Sequence, residues 1–155
     1  MSSSEHASSS NIALQTTAKN LGIPVIQRHI FLCTDPTKPK CCDRDTSLAA
    51  WNYLKKRLKD LSLDTPTDVR PTCVFRTKAD CLRICQQGPI MVIYPDGVWY
   101  HSVTAEVVER IIQEHLLNNR VVDDYAFVVH PLTVEPEADA IAPPSTPEST
   151  NASDG

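Results

Sequence analysis

Gly88-Pro89-Ile90-Met91-Val92-Ile93-Tyr94-Pro95-Asp96-Gly97-Val98-Trp99-Tyr100 reads as two strands and the turn between them. Residues 89–94 are apolar on both faces, as in a strand with neighbours on either side and cover above and below. Asp96-Gly97 is a standard two-residue hairpin signal, and Val98 to Val103 is the returning strand. Downstream, Thr104 is placed to cap a final helix, with Glu106 in its first turn where the helix dipole favours an anion. Val103 and Val108 have the spacing of a hydrophobic staple. Val108, Ile111, Ile112 and Leu116 form the buried stripe, and Asn118-Asn119 ends the helix.

Upstream, Val69 to Arg76 predicts a strand whose first half is an edge, because Pro71 cannot donate to a ladder. Before it, Leu48, Trp51, Leu54, Leu58 and Leu61 recur at steps of three and four, a single apolar stripe on a helix capped near Thr46 or Ser47. Residues 34–46, with Pro36, Pro39, Asp35, Asp43 and Asp45, predict a loop. His29-Ile30-Phe31-Leu32-Cys33 predicts a short buried strand. The order β-α-β-loop-β-β-α gives an α/β fold, a sheet of about four strands with two main helices packed on it.

The chain has 155 residues, enough for one domain with tails. Residues 1–27 read as a Ser-rich, largely flexible leader with a weakly helical segment from Ile12 to Leu21, and residues 28–132 as the domain. Residues 133–155, acidic and rich in Pro, Ser and Thr, read as a disordered tail, since they cannot bury enough apolar surface to offset the entropy of ordering. No apolar run reaches the roughly 18 residues of a membrane span. The start of the chain lacks the pattern of a secretory signal, and its first Lys or Arg is Lys19.

The formal charge of −4 is concentrated in the tails, at Glu5, Glu135, Glu137, Asp139, Glu148 and Asp154. Between residues 28 and 132 the charges nearly balance, which argues against nucleic-acid binding. Lys55, Lys56, Arg57 and Lys59 cluster on one predicted helix and read as a solvated face.

Six cysteines are too few for a disulfide scaffold of this length, and the absence of an export signal suggests a reducing, cytoplasmic setting. Cys33 ends the first strand, Cys41-Cys42 precede the first helix, and Cys81-Leu82-Arg83-Ile84-Cys85 has the spacing of one helical turn. Cys73, inside a strand, reads as a buried structural thiol. Four converging thiolates have three chemical readings. A 2Fe–2S cluster takes two thiolates per iron and draws backbone N–H groups from irregular loops. Structural zinc favours tight C-x2-C knuckles, which are absent. Thiol–disulfide exchange favours C-x2-C at a helix start, and Cys81 and Cys85 stand one residue too far apart for it.

With these residues in place, the chain resembles the thioredoxin-like 2Fe–2S ferredoxins, the homodimeric carriers related to the 24-kDa subunit of respiratory complex I. The resemblance covers roughly residues 28–132 and rests on His29 to Cys33, a cysteine before the amphipathic helix, the C-x3-C pair and, most specifically, residues 88–100. It implies a thioredoxin-like mixed sheet and one 2Fe–2S cluster per chain. It matches Cys33 to the first ligand, Cys42 to the second (Cys41 is the alternative), Cys81 to the third and Cys85 to the fourth. The loop between the first two ligands is shorter here than in many relatives.

The function implied is one-electron transfer between redox protein donors and acceptors, by a homodimer that is not an enzyme. No Gly-rich dinucleotide fingerprint follows the first strand. Lys38, Lys40, Arg44 and Arg83 flank the ligand loops, to temper the cluster's charge or steer an acidic partner. Trp99 is expected in the core packing, with shielding of the dimer surface or the sheet face as its alternative, and His101 as an ordinary strand residue. The rival readings are an iron–sulfur redox sensor acting as a regulatory binding module, and a structural four-cysteine zinc domain.

Overall fold

The computed structural model describes residues 3–34 and 42–132. The elements run α1 (Ser3–Leu21), a 3-10 turn (Ile23–Val25), β1 (Ile26–Cys33), α2 (Arg44–Asp60), β2 (Cys73–Ala79), β3 (Met91–Tyr94), β4 (Val98–Tyr100), α3 (Ala105–Ile111) with a π turn over Ile112–Leu116, and β5 (Ala126–Val129). The sheet order is β2-β1-β3-β4-β5. β1 and β2 are parallel, with Cys33 opposite Ala79, and every other pairing is antiparallel. The mixed α/β sheet matches the expectation, with a fifth strand that the sequence reading lacked.

One face of the sheet carries the core. Ile30, Leu32, Val74, Met91, Ile93, Val98 and Tyr100 pack with Ala50, Leu54 and Leu58 of α2 and Val107, Val108 and Ile111 of α3. Strand alternation places His29, Phe31, Phe75, Tyr94 and Trp99 on the other face. These five side chains are half-buried, and the rings of His29 and Phe31 stack at 4.4 Å. Val92, on the same face, is 1 % exposed beneath its larger neighbours.

Several boundaries differ from the expectations. The cap of α2 is Asp43, whose carboxylate accepts from the Thr46 N–H at 2.7 Å, so Thr46 lies inside the helix. Thr104 is the N-cap of α3, without a side-chain cap hydrogen bond. β2 starts at Cys73, two residues beyond Pro71, and runs on to Ala79. α1 spans Ser3–Leu21, where helix had been expected only from Ile12. Cys81 to Cys85 is not helical: Arg83 has a φ of 69°, a left-handed conformation that breaks a right-handed turn. Lys38, Lys40, Cys41 and the tail 133–155 lie outside the described residues.

The far end of the sheet, at the β3–β4 turn, is held by a buried polar chain. Arg28, on β1, donates from Nε to Asp96 Oδ2 at 3.0 Å and from Nη2 to Asn119 Oδ1 at 2.6 Å. His115 meets the same Asp96 oxygen at 2.5 Å, and its Nδ1 lies 2.8 Å from the Tyr100 hydroxyl. The Val122 N–H already donates to that hydroxyl, at 3.2 Å. The Asp96 carboxylate only accepts, so a neutral His115 gives it the Nε2–H and takes the Tyr100 proton at Nδ1. Burial lowers the His115 pKa against the opposing pull of Asp96, and raises that of Tyr100 to about 12.

Candidate metal centre

At the near end of the sheet three cysteine-bearing segments meet. Cys33 closes β1, 3 % exposed, and its thiol donates to the Asp80 carbonyl at 3.7 Å, one residue before Cys81. The next residue, Thr34, takes its N–H to the Ala79 carbonyl at 3.0 Å and its hydroxyl to the Ser47 carbonyl at 3.4 Å. Ser47 lies in the first turn of α2, whose cap Asp43 directly follows Cys42. The end of β1 thus touches both the end of β2 and the start of α2, and brings Cys33, Cys42 and Cys81 to one pole. Cys85 follows in the loop from 80 to 90, which returns to β1 where the Cys33 N–H donates to the Ile90 carbonyl at 2.9 Å.

The donors differ in exposure: Cys33 is buried, Cys42 half-buried, and Cys81 and Cys85 exposed. Left-handed Arg83 and Gln87, with φ of 69° and 51°, bend the loop sharply. The first of these bends aims the Arg83 N–H at Cys81 Sγ, 3.2 Å away. Such an N–H stabilises a thiolate or a sulfur-bound metal. Among the described residues no three His, Cys, Asp or Glu side chains form a closed metal cage. The backbone brings the three cysteine-bearing segments to one end of the sheet.

Cys73 belongs elsewhere. It is 1 % exposed in β2, donates to the Gly22 carbonyl at 3.4 Å, and has its pKa raised by burial. The sequence reading of a structural thiol agrees with that position. A feature the sequence did not signal is the shallow cleft beside the cysteine loop, lined by Ile84, Gln86, Gln87, Ile90, His101 and Phe127. Phe127 comes from β5, the strand that was not expected.

The geometry can be set beside known proteins. No family model matches the chain. It is 35 % identical over 100 residues to a 2Fe-2S ferredoxin of Clostridium pasteurianum, covering 62 % of this chain and 91 % of that one. The chain belongs to the 2Fe–2S ferredoxin family. A second ferredoxin relative, from Aquifex aeolicus, is 32 % identical over 94 residues, covering 57 % of this chain and 78 % of its own. The solved structure of a thioredoxin-like [2Fe-2S] ferredoxin from Aquifex aeolicus superposes with a TM-score of 0.56 at 25 % identity, over 69 % of this chain and 96 % of that one. Within this ferredoxin family the thioredoxin-like sheet is the shared frame, and the cysteine pole lies at the strand ends of that frame.

Proposed function

We propose that the chain is a one-electron carrier holding one 2Fe–2S cluster on Cys33, Cys42, Cys81 and Cys85. The observation that carries the ligand assignment is the junction of β1 with Asp80 and Ser47, which puts segments bearing all four sulfurs at one end of the sheet. The donor set fits the group: soft thiolates, one N–H already aimed at a sulfur, and irregular backbone able to supply more. Membership of the ferredoxin family supports the same reading. Bound there, the cluster supplies a site that takes up and returns one electron.

The chain's own residues set the terms of that exchange. Cys33 anchors the inner side of the site in the sheet, while exposed Cys81 and Cys85 bring the outer side to the surface, where a donor or acceptor protein can approach. Arg83 gives its backbone N–H to the Cys81 sulfur, a donor that favours the negative charge gained on reduction, and carries a cation two residues from that ligand. No substrate-processing machinery is needed for this role, so the reading is a carrier rather than an enzyme, working in a reducing cytoplasm. The half-buried aromatic sheet face of His29, Phe31, Phe75, Tyr94 and Trp99 supports a homodimer, since a second copy would complete its cover.

Anaerobic purification followed by visible spectroscopy and iron and sulfide analysis tests the assignment. The expected product is brown, bleaches with dithionite, and holds about two irons and two sulfides per chain. Cys85→Ser removes most of the colour, whereas Cys73→Ser keeps it. Full cluster content in Cys42→Ser would transfer the second ligand to Cys41.

A further inference from the structure

The arginines that α2 and α3 contribute to the fold's ion pairs have carboxylates to meet. Arg57 pairs with Glu109 at 2.9 Å, and Arg110 reaches Glu114 and Asp124 at 2.9 and 3.0 Å. Arg28, on β1, is likewise neutralised by Asp96. Arg76 on β2 is different. Its guanidinium lies 5.6 Å from the ring centre of Trp51, and its buried Nε has no hydrogen-bond partner. A half-buried cation is held in place by an aromatic ring, with no carboxylate among the described residues to neutralise it.

Its surroundings are basic. Arg44, Leu48, Trp51 and Lys55 follow at steps of four, three and four, which puts them on one flank of α2. Tyr53 and Arg57 lie on the other flank, toward α3 and Glu109. Lys78 stands two residues from Arg76, on the same side of β2. Along the α2–β2 flank, then, Lys55 and Arg76 form a basic ridge beside Trp51, with Arg44 and Lys78, which make contacts of their own, toward its cysteine end. β2 is also an edge strand.

The ridge leads to the cysteine pole. Arg44 is two residues from Cys42, and Lys78 precedes Ala79, the pairing partner of Cys33. Arg76 lies three residues from that partner, about 10 Å along a strand.

We propose that this α2–β2 ridge is the docking surface for an acidic redox protein, with Arg76 fixed on Trp51 as its central contact. The proposal rests on the carrier reading for the redox identity of the partner, and on charge complementarity for its acidity. An arginine already immobilised on a ring loses less side-chain entropy on pairing than a free one, and a tryptophan–arginine pair is the kind of anchor that dominates interfaces. Partner carboxylates would satisfy the guanidinium and orient the partner over the adjoining pole, where the four cysteines stand.

An oligo-glutamate peptide is the probe, titrated calorimetrically into the iron-loaded full chain at low ionic strength. Arg76→Glu is expected to weaken binding at least tenfold, and exposed Lys55→Glu about threefold. Arg120→Glu, the same charge change at an exposed position outside the ridge, should shift it less than twofold. Near-physiological salt should weaken wild-type binding and narrow these differences. Lys55→Glu keeps the test decisive if Arg76→Glu fails to fold. Absence of wild-type binding, or equal losses from the ridge and Arg120 variants, would overturn the ridge. Binding that appears only after Glu135→Gln, Glu137→Gln and Asp139→Asn would assign the ridge to the chain's own acidic tail, overturning the partner. The visible spectrum of the same samples reads the carrier assignment separately: a colourless chain that binds the peptide through Arg76 sinks that reading and retains an acidic docking surface.

Discussion

At one end of the sheet Arg28, Asp96, His115 and Tyr100 exchange hydrogen bonds in an unbroken, largely buried chain; at the other, cysteine-bearing segments meet through hydrogen bonds from Cys33 and Thr34 to backbone carbonyls. The locked end hides a polar network whose groups satisfy one another, which fixes one geometry and makes each member costly to remove. The open end has exposed sulfurs, and its cysteine loop holds Arg83 and Gln87 in left-handed backbone, as the locked end holds Asn119. The difference shows how a small domain of this kind divides its labour. The buried polar network lies at the end of the sheet opposite the proposed cluster site.

The most severe way to break the locked end is Asp96→Ala, which strands the buried Arg28 guanidinium and removes the acceptor of His115. It should cost about 3 kcal/mol in urea unfolding, near the lower end for a broken buried pair because Asp96 itself is partly exposed. Gly97→Ala comes next. Gly97 has a φ of 66°, and a Cβ there would fall on the His130 carbonyl, so a loss of about 2 kcal/mol is expected by the same measurement. Asp96→Ala and Gly97→Ala, studied while still folded, should keep their iron content; parallel loss of iron would show that the two ends are not independent.

Acid titration sharpens the contrast further. Arg57 holds the Glu109 pKa down to about 2, chiefly through its hydrogen bonds to the carboxylate. That contribution is present above the ordinary value near 4.5 and is lost as pH falls toward 2. Because the pair is partly solvated, it amounts to about 1 kcal/mol and should vanish in Glu109→Gln. The lowered pKa of His115 acts at higher pH. Its neutral form is favoured in the fold beside Asp96, Arg28 and Tyr100, so stability is full above the unfolded value near 6.5 and declines as pH falls through the folded value. Chemical denaturation across this range should lose the upper decline in His115→Gln.

The smallest effect belongs to the open end. Arg83→Gly relieves a left-handed residue and also frees the unfolded chain, for a net gain of about 0.5 kcal/mol. A large stability change at that position would mean that the cysteine loop is as tightly integrated as the opposite end.

Much of the frame was legible because it follows from pattern. The apolar run at 89–94 and the apolar stripes of α2 and α3 follow from pattern, and the fold adopts them; the Asp-Gly turn is wider than its two-residue signal, since Ile93 pairs with Val98 across four residues and only Gly97 of the turn is left-handed. β5 escaped because Ala126–Val129 is short and, at the sheet edge, carries exposed Phe127, Val128 and Val129 rather than an alternating pattern. The α2 cap was displaced because Thr46 and Ser47 suited the role by type, while Asp43 reached the open N–H first. The C-x3-C spacing suggested a helical turn, but Arg83 adopts a conformation that spacing does not encode.

The locked network was missed although its signal was present. His115 lies within the apolar stripe of the last helix, and a polar ring there requires a buried partner. Its partner, Asp96, has the sequence signature of a turn residue. For the metal centre, the sequence supplied the donors and their family-implied roles; the hydrogen bonds of Cys33 and Thr34 supply the junction, which no spacing rule contains.

Leu132 donates its N–H to the Pro95 carbonyl at 2.8 Å, and β1 begins at Ile26 beside the same hairpin turn. Both ends of the domain therefore emerge on the side away from the cysteines. A tether grafted at either end, to an electrode, a resin or a second enzyme, would hold the molecule by its rigid base with the thiol-bearing rim turned outward, whereas attachment through the 80–90 loop would put the anchor against that rim.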